Sequence, residues 1–426
     1  MTEHGHTSTT DTGAYESLER LVEHDGTTTV RARKRATGEH VLLRSFGEAF
    51  PSPEEIGRLE RELALGRELH HPGLLTGREL VIHVNRPALL LEDPGSRPLA
   101  TLLESGPLSL ADGLRLGVGL ARALSALHAA DLVHTGLSPR TILVSDRCEQ
   151  VSIFDMRSAT RVPRTQQVVV SPELLRGSLE HLAPEQTGRM NRPVDYRSDL
   201  YAVGAVLYHA FSGRPPLRAG NAMALVHALL AQEPVPLDEE DARIPGTVAR
   251  IVQRLLAKSA EDRYRSAAGL ALDLERCLLA IEQNGSVLPF ELGSLDRSRV
   301  LRLSERLYGR QAEVDALMEA FSASADGARA LLLVSGYAGI GKTSLIHEVH
   351  RPIVERRGYF FSGKFDQLAR TEPLEGLRHA LGQLIGQILT ESEDQLQTWR
   401  RRLAQALDGE GGVIIELLPE VRHILG

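Results

Sequence analysis

The chain has 426 residues, room for two to three domains at ~150 residues each. Its composition, 42% hydrophobic and 25% charged, excludes collagen-like, fibrous and wholly disordered classes. Nine Phe, eight Tyr and one Trp leave the cores to Leu, Val, Ile and Ala, and a net charge of -7 argues against a protein that coats nucleic acid or an anionic membrane.

Residues 1–14 are polar and read as a disordered tail without a signal-peptide pattern. Strand-like runs at Thr27–Arg33 and Glu39–Phe46 flank the turn Ala36-Thr37-Gly38, and Pro53–Leu69 carries Ile56, Leu59, Leu63 and Leu69 at helical spacing. This predicts a small β-rich lobe with one helix. Candidate helices at Ala111–Ala129, Arg197–Phe211, Ala222–Ala231, Val248–Leu256 and Ser266–Ala280 predict a second, mostly α lobe. Gly and Pro breaks with scattered charges make 284–305 a linker. From 306 to 426 a helix at Glu313–Phe321, a strand at Ala330–Val334, a Gly-rich turn, a helix at Thr343–Val349 and a strand at Gly358–Ser362 form the β-α-β rhythm of a parallel sheet. Cys148 and Cys277 stand far apart, which excludes a disulfide framework and a thiolate-built zinc site and fits a reducing cytoplasm. No apolar run approaches the ~20 residues of a membrane span.

Gly336-Tyr337-Ala338-Gly339-Ile340-Gly341-Lys342-Thr343 matches G-x-x-x-x-G-K-[ST]. Backbone N–H groups at Gly336, Ala338, Gly339 and Gly341 would wrap phosphate oxygens, Lys342 would reach the terminal phosphates, and Thr343, followed by Ser344, would hold Mg²⁺. The helix starting at Thr343 aims its positive end at the same place. The expected ligand is therefore ATP with Mg²⁺. Hydrolysis also needs an acid on a second apolar strand. Val413–Glu416 is a poor candidate, since Gly411-Gly412 precede it and Leu417-Leu418-Pro419 follow. The sequence ends about 120 residues past Tyr308, so the ATPase reads as its N-terminal part, stopping before that acid.

The run Gly177–Arg192, containing Ala183-Pro184-Glu185 and Thr187-Gly188-Arg189-Met190-Asn191-Arg192, resembles the A-P-E end of a protein-kinase activation segment. Asp199 with Gly204 resembles the helix that follows it. The combination, with Tyr308-Gly309-Arg310 and Glu313 later, resembles large bacterial signalling proteins that join a serine/threonine-kinase-like domain to a P-loop ATPase. The resemblance covers about residues 15–426. It implies a two-lobed α+β kinase fold over 15–283, followed by part of an α/β P-loop domain over 306–426, with protein partners in signalling.

Within that resemblance the kinase chemistry departs position by position. Val41-Leu42-Leu43-Arg44 stands where V-A-I-K is expected, so Arg44 replaces the phosphate-pairing lysine and Leu42 the small residue over adenine. Arginine keeps charge but not the compact ammonium. The helix partner is retained as Glu62, followed by His71-Pro72. The Gly-rich loop positions hold Glu23, Asp25 and Thr28, best read as an ordinary β-turn. In His134-Thr135-Gly136-Leu137-Ser138-Pro139-Arg140-Thr141, the base is Gly136 and the metal-binding Asn is Thr141. Of D-F-G only the acid survives, in Asp155-Met156-Arg157, as the one possible Mg²⁺ ligand of this domain. Arg157, Arg161 and Arg164, near Thr160 and Thr165, read either as a phosphate site or as a flexible charged loop. Structural positions persist: Glu185 is expected to form a buried ion pair with Arg263, and Asp199 and Gly204 to open the central helix. The leading expectation is an ATP-binding regulatory protein with an inactive kinase domain. The alternatives are an atypical serine/threonine kinase using Arg44, Glu62 and Asp155, and an interaction scaffold with an inert P-loop region.

Overall fold

The computed structural model describes residues 13–47, 51–161, 179–187, 194–296, 309–337, 340–349, 352–353, 356, 358–363, 374–389, 393–407, 414–415 and 418–425. Almost all of the expected N-terminal tail therefore lies outside the described residues. Those within Met1–Thr187, Arg192–Arg218 and Glu233–Arg302 form one compact unit, and those within Ala219–Gln232 and Leu303–Gly426 another.

The first unit opens with the hairpin β1 (Tyr15–His24) and β2 (Thr27–Lys34). Asp25 and Gly26 at its tip have φ of 47° and 70°, the paired left-handed conformations of the hairpin turn that Asp-Gly favours. The ordinary turn expected in place of a Gly-rich loop is thus what forms. With β3 (His40–Phe46), β4 (Glu79–His83) and β5 (Arg86–Glu92) these strands make an antiparallel sheet of order β1-β2-β3-β5-β4. Strand alternation sorts β3: Val41 and Leu43 join Tyr15, Ala32, Val81 and Ala88 on one face, while Leu42 and Phe46 join Leu59, Leu89 and Leu91 on the other. Arg44 shares that second face by the same period. Helix α1 (Pro53–Gly66) packs there, started by a capping box in which Glu55 N–H donates to Ser52 Oγ and Ser52 N–H to Glu55. Leu59 and Glu62 are three residues apart and so share one face of α1. The helix that buries Leu59 therefore also carries Glu62 to the sheet.

The second lobe of this unit is built on α2 (Leu99–Glu104), α3 (Leu110–Ala129), α4 (Tyr196–Ser212), α6 (Leu237–Glu240), α7 (Gly246–Leu255) and α8 (Ala267–Asn284). Helix α4 is buried along nearly its whole length and packs against α3 and α7. Close approach explains Gly204 there, since a Cβ would stand 2.6 Å from that of Leu255. Short ladders flank the lobe: β6 (Arg97–Pro98), β8 (Ile142–Val144) and β9 (Val151–Ile153) form one, β7 (Leu132–Val133) and β10 (Thr160–Arg161) the other.

The stretch read as a linker is docked in its first part. Arg250 and Arg254 donate to the carbonyls of Phe290 and Leu292 at 3.2 and 2.8 Å, and Gly293 N–H donates to Asp273 at 2.7 Å. Asp296 is buried and accepts from Ser266 Oγ at 2.7 Å. The α lobe thus extends past α8, held by polar bonds that hydropathy does not register.

In the second unit, α5 (Ala222–Ala231) accompanies α9 (Gln311–Ala325), α10 (Lys342–His347) and helices at Glu375–Leu389 and Glu393–Leu407. Ile385, Ile388, Leu418, Val421 and Ile424 make its core, with Trp399 edge-on to Tyr359. That ring contact places Trp399 in packing. The strands expected at Ala330–Val334 and Gly358–Ser362 are not formed. Among the described residues this unit has no strand, and Leu331 and Leu333 are 89% exposed. Apolar strands need neighbours to close their hydrogen-bond ladder, and local sequence alone does not supply them.

Candidate functional site

Two places collect the residues the sequence singles out: the cleft between the lobes of the first unit, and the phosphate loop of the second. In the cleft, β3 and α1 bring Arg44 and Glu62 into a fully buried ion pair. Asp155, in the left-handed conformation at φ 66°, sits on the far side of Arg44, Oδ1 to Nη1 3.5 Å. The short 3₁₀ turn Met156–Ser158 that follows returns Arg157 onto Asp155, Nε to Oδ1 at 2.6 Å and Nη2 to Oδ2 at 2.7 Å. Arg157 also donates to the Asp25 carbonyl at 3.1 Å, on the β1–β2 turn. Burial alone would raise the Asp155 carboxyl; Arg44 and Arg157 outweigh it and hold the group well below the usual carboxylate range. Arg157 is therefore neither a flexible loop charge nor part of an open phosphate site. Arg161 pairs with Glu68, and Arg164 and Thr165 lie outside the described residues.

The other catalytic-loop positions are engaged in structure. Gly136 presents no side chain, and a Cβ added there would meet only ordinary contacts, the nearest Ser158 at 3.5 Å. Its N–H donates to His134 Nδ1 at 3.3 Å, while His134 Nε2 faces the Phe154 carbonyl at 3.2 Å, which fixes the ring. Thr141 Oγ1 accepts from Ser138 N–H at 2.9 Å and faces the carbonyls of Ser138 and Gly136 at 3.1 and 3.2 Å. That hydroxyl closes the loop on itself. Thr135 has φ 59°, strained for a β-branched residue. Asp199 takes the N–H groups of His134 and Thr135, both at 2.9 Å, and Gln186 donates to the Thr135 carbonyl at 2.7 Å. Asp199 thus buttresses this loop.

The apolar part of the cleft is filled from both sides. Leu42, Leu89 and Leu91 of the sheet, Val22 of β1, and Leu143 and Phe154 of the second lobe form one buried cluster. The connection between the lobes is pinned: Arg31 on β2 binds Asp93 through Nε at 2.7 Å and also donates to the Ser96 carbonyl at 2.5 Å. Pro94 has no N–H, and the Gly95 N–H is donated to Asp93 at 2.9 Å.

The expected structural pair is formed. Arg263 meets Glu185 with two bonds, 2.7 and 2.9 Å, both residues buried. Ser198 Oγ adds a third to Glu185 at 2.7 Å, and Arg263 lies over the Tyr201 ring at 4.9 Å.

In the phosphate loop, Gly341 at φ 91° caps the N-terminus of α10, which begins at Lys342. Lys342 Nζ folds back to the carbonyls of Gly336 and Tyr337, 2.8 and 2.9 Å. A cavity of about 320 Å³ adjoins it, lined by Arg310, Glu313, Leu317, Val334, Ile340 and Lys342 among others. The donor set fits a nucleotide phosphate: an ammonium held, among the described residues, by the loop carbonyls of Gly336 and Tyr337, beside a helix start and an open hollow. Ala338, Gly339 and the candidate acid Glu416 lie outside the described residues, as does the side chain of Ser344.

Comparison with known proteins gives this geometry a context. The protein kinase domain family matches residues 15–272. The chain belongs to that family. The AAA ATPase domain family matches residues 306–424, so a kinase domain is followed here by an AAA-type P-loop region. It is similar to hybrid signal transduction histidine kinase G of Dictyostelium discoideum, 32% identical over 60% of this chain and 8% of that protein. A probable serine/threonine-protein kinase of Streptomyces coelicolor is 29% identical over 57% of the chain and 36% of its own length. A DNA damage-responsive serine/threonine-protein kinase of Deinococcus radiodurans is 32% identical over 61% and 39%. The chain spans less than two fifths of the length of each. Among the described residues no helix is long and apolar enough to cross a membrane.

Sequence reading missed Arg157 as a cleft residue, and with it the Arg31–Asp93 clamp. The signal for the first was present: an arginine where D-F-G has glycine. The second joins residues 62 positions apart and has no local signature.

Proposed function

We propose that this chain is an ATP-binding regulatory protein of cytoplasmic signalling, in which the kinase domain acts as a non-catalytic binding module and the P-loop region binds the nucleotide. The observation that carries it is Gly136: where a general base would accept the substrate proton there is no side chain, although the backbone has room for one. A general base contributes typically ~10²–10⁴ in rate. The engaged Thr141 hydroxyl and the fully buried Leu42, where the kinase resemblance expects a small residue, point the same way. At the P-loop, Gly336, Ala338, Gly339 and Gly341 are assigned to the phosphates through their backbone, with Lys342 as counter-charge. Thr343 with Ser344 is assigned to Mg²⁺.

The test is equilibrium binding of a fluorescent ATP analogue with Mg²⁺ to the full chain, alongside a phosphotransfer assay. Lys342→Ala should abolish nucleotide binding, and no phosphate should reach protein substrates. Phosphotransfer that survives Lys342→Ala and disappears in Asp155→Ala would refute the reading and favour an atypical kinase using Arg44, Glu62 and Asp155.

A further inference from the structure

We propose that Arg157 is the internal cation of the kinase cleft: its guanidinium stands where Asp155 would hold a divalent ion, and it fastens the β1–β2 turn over the site without metal or nucleotide. The inference deepens the non-catalytic reading of this cleft and rests on it.

A kinase fold implies Mg²⁺ at this acid, and the residues present do not fit one. Both Asp155 oxygens accept charge-assisted bonds from Arg157, at 2.6 and 2.7 Å. Arg44 closes the third side at 3.5 Å. Mg²⁺ demands near-octahedral oxygen coordination at ~2.0–2.1 Å. Here it would have to enter between two guanidinium groups and share one carboxylate with both. Thr141, at the position of a second metal ligand, has its hydroxyl turned into its own loop.

Charge closes as well. Arg44 and Arg157 balance Glu62 and Asp155, with no phosphate or metal needed to complete the set. The remaining facing groups lie on the turn and the catalytic loop. Asp25 Oδ2 is 3.9 Å from Arg157, and Arg140 donates to the Glu23 carbonyl at 3.3 Å. Burial lowers the His24 imidazole, which favours its neutral form. Arg157 has 5% of its side chain exposed, so its bonds to Asp155 and to the carbonyls of Asp25 and His24 act as an inside latch between the lobes.

The test uses the full chain carrying Lys342→Ala, titrated with Mn²⁺ and followed by electron paramagnetic resonance, with and without Asp155→Asn. The two titrations should coincide. An Asp155-dependent Mn²⁺ site with Arg157 intact would overturn the inference while leaving the absence of phosphotransfer untouched; phosphotransfer would instead sink the reading beneath it. In parallel, Arg157→Ala should speed hydrogen exchange in the peptide spanning residues 20–28 by about tenfold or more. Unchanged exchange there overturns the latch. The Mn²⁺ comparison needs no Arg157 variant and decides even where Arg157→Ala does not fold.

Discussion

Replacing Glu185 by Gln tests how the α lobe is held together. The substitution keeps size and shape but leaves Arg263, 1% exposed, without its counter-charge. Carbonyls of Ala257, Arg197 and Lys258 remain as acceptors at 2.8, 2.9 and 3.3 Å, with the Tyr201 ring beneath. Those dipoles solvate the cation only in part. Breaking a buried pair on one side costs ~3–5 kcal/mol. For a domain of this size, where 1 kcal/mol moves the midpoint by ~2–4 °C, the first unit should melt roughly 6–20 °C lower. Differential scanning calorimetry of the full chain, with hydrogen exchange to assign the transition, reads this directly. Removing both charges should cost less than the sum of the single changes, by at least ~1.5 kcal/mol, because the pair is coupled. Linkage adds a pH signature. Burial raises the Glu185 carboxyl, but Arg263 and Ser198 outweigh it and the folded value is lowered. Its contribution is thus complete above the ordinary carboxylate range and is lost as pH falls through the folded value. A Glu185→Gln loss below ~1 kcal/mol would refute the reasoning, since it would mean that water reaches the pair.

Three further outcomes follow from the same structure. Buried His181, stacked on His209, is pushed down to about 3 by burial and by its neighbour, so the unfolded chain binds the extra proton first. Stability should fall as pH drops from about 6.5 towards 3, with up to ~1.4 kcal/mol per pH unit from this group, and urea unfolding of His181→Gln should show a shallower slope between pH 6.5 and 5. Gly204→Ala should lose ~1–3 kcal/mol by overpacking α4 against Leu255, read as a lower urea midpoint with unchanged slope. Leu42→Ala should lose ~2–5 kcal/mol by opening a cavity in the cluster that joins the lobes, again measured by urea midpoint; a loss under ~1 kcal/mol would show that Leu42 is not tightly packed there.

Periodicity and short motifs were sufficient for much of this protein, because the physics they report is local. The helices at 53–66, 110–129, 196–212, 246–255 and 267–284 lie within a few residues of the expected bounds, since their apolar faces and caps are written in consecutive residues. The pairing of Arg44 with Glu62 and of Glu185 with Arg263 was legible through the kinase resemblance, as was the glycine at 136 where that resemblance expects an acid. Tertiary structure decided the rest. Arg157 could be a loop charge or a cleft cation. Only the left-handed backbone at Asp155 and the nearness of the β1–β2 turn, 132 positions away in sequence, make it the latter. Residues 290–296 look like linker because their attachment is polar and distant, through Arg250, Arg254 and Asp273. The run Ala330–Val334 looks like a strand because it is apolar, yet a strand is a property of two segments. Hydropathy reports what one segment would bury, whereas the hydrogen-bond ladder that makes it a strand depends on where the rest of the chain lies.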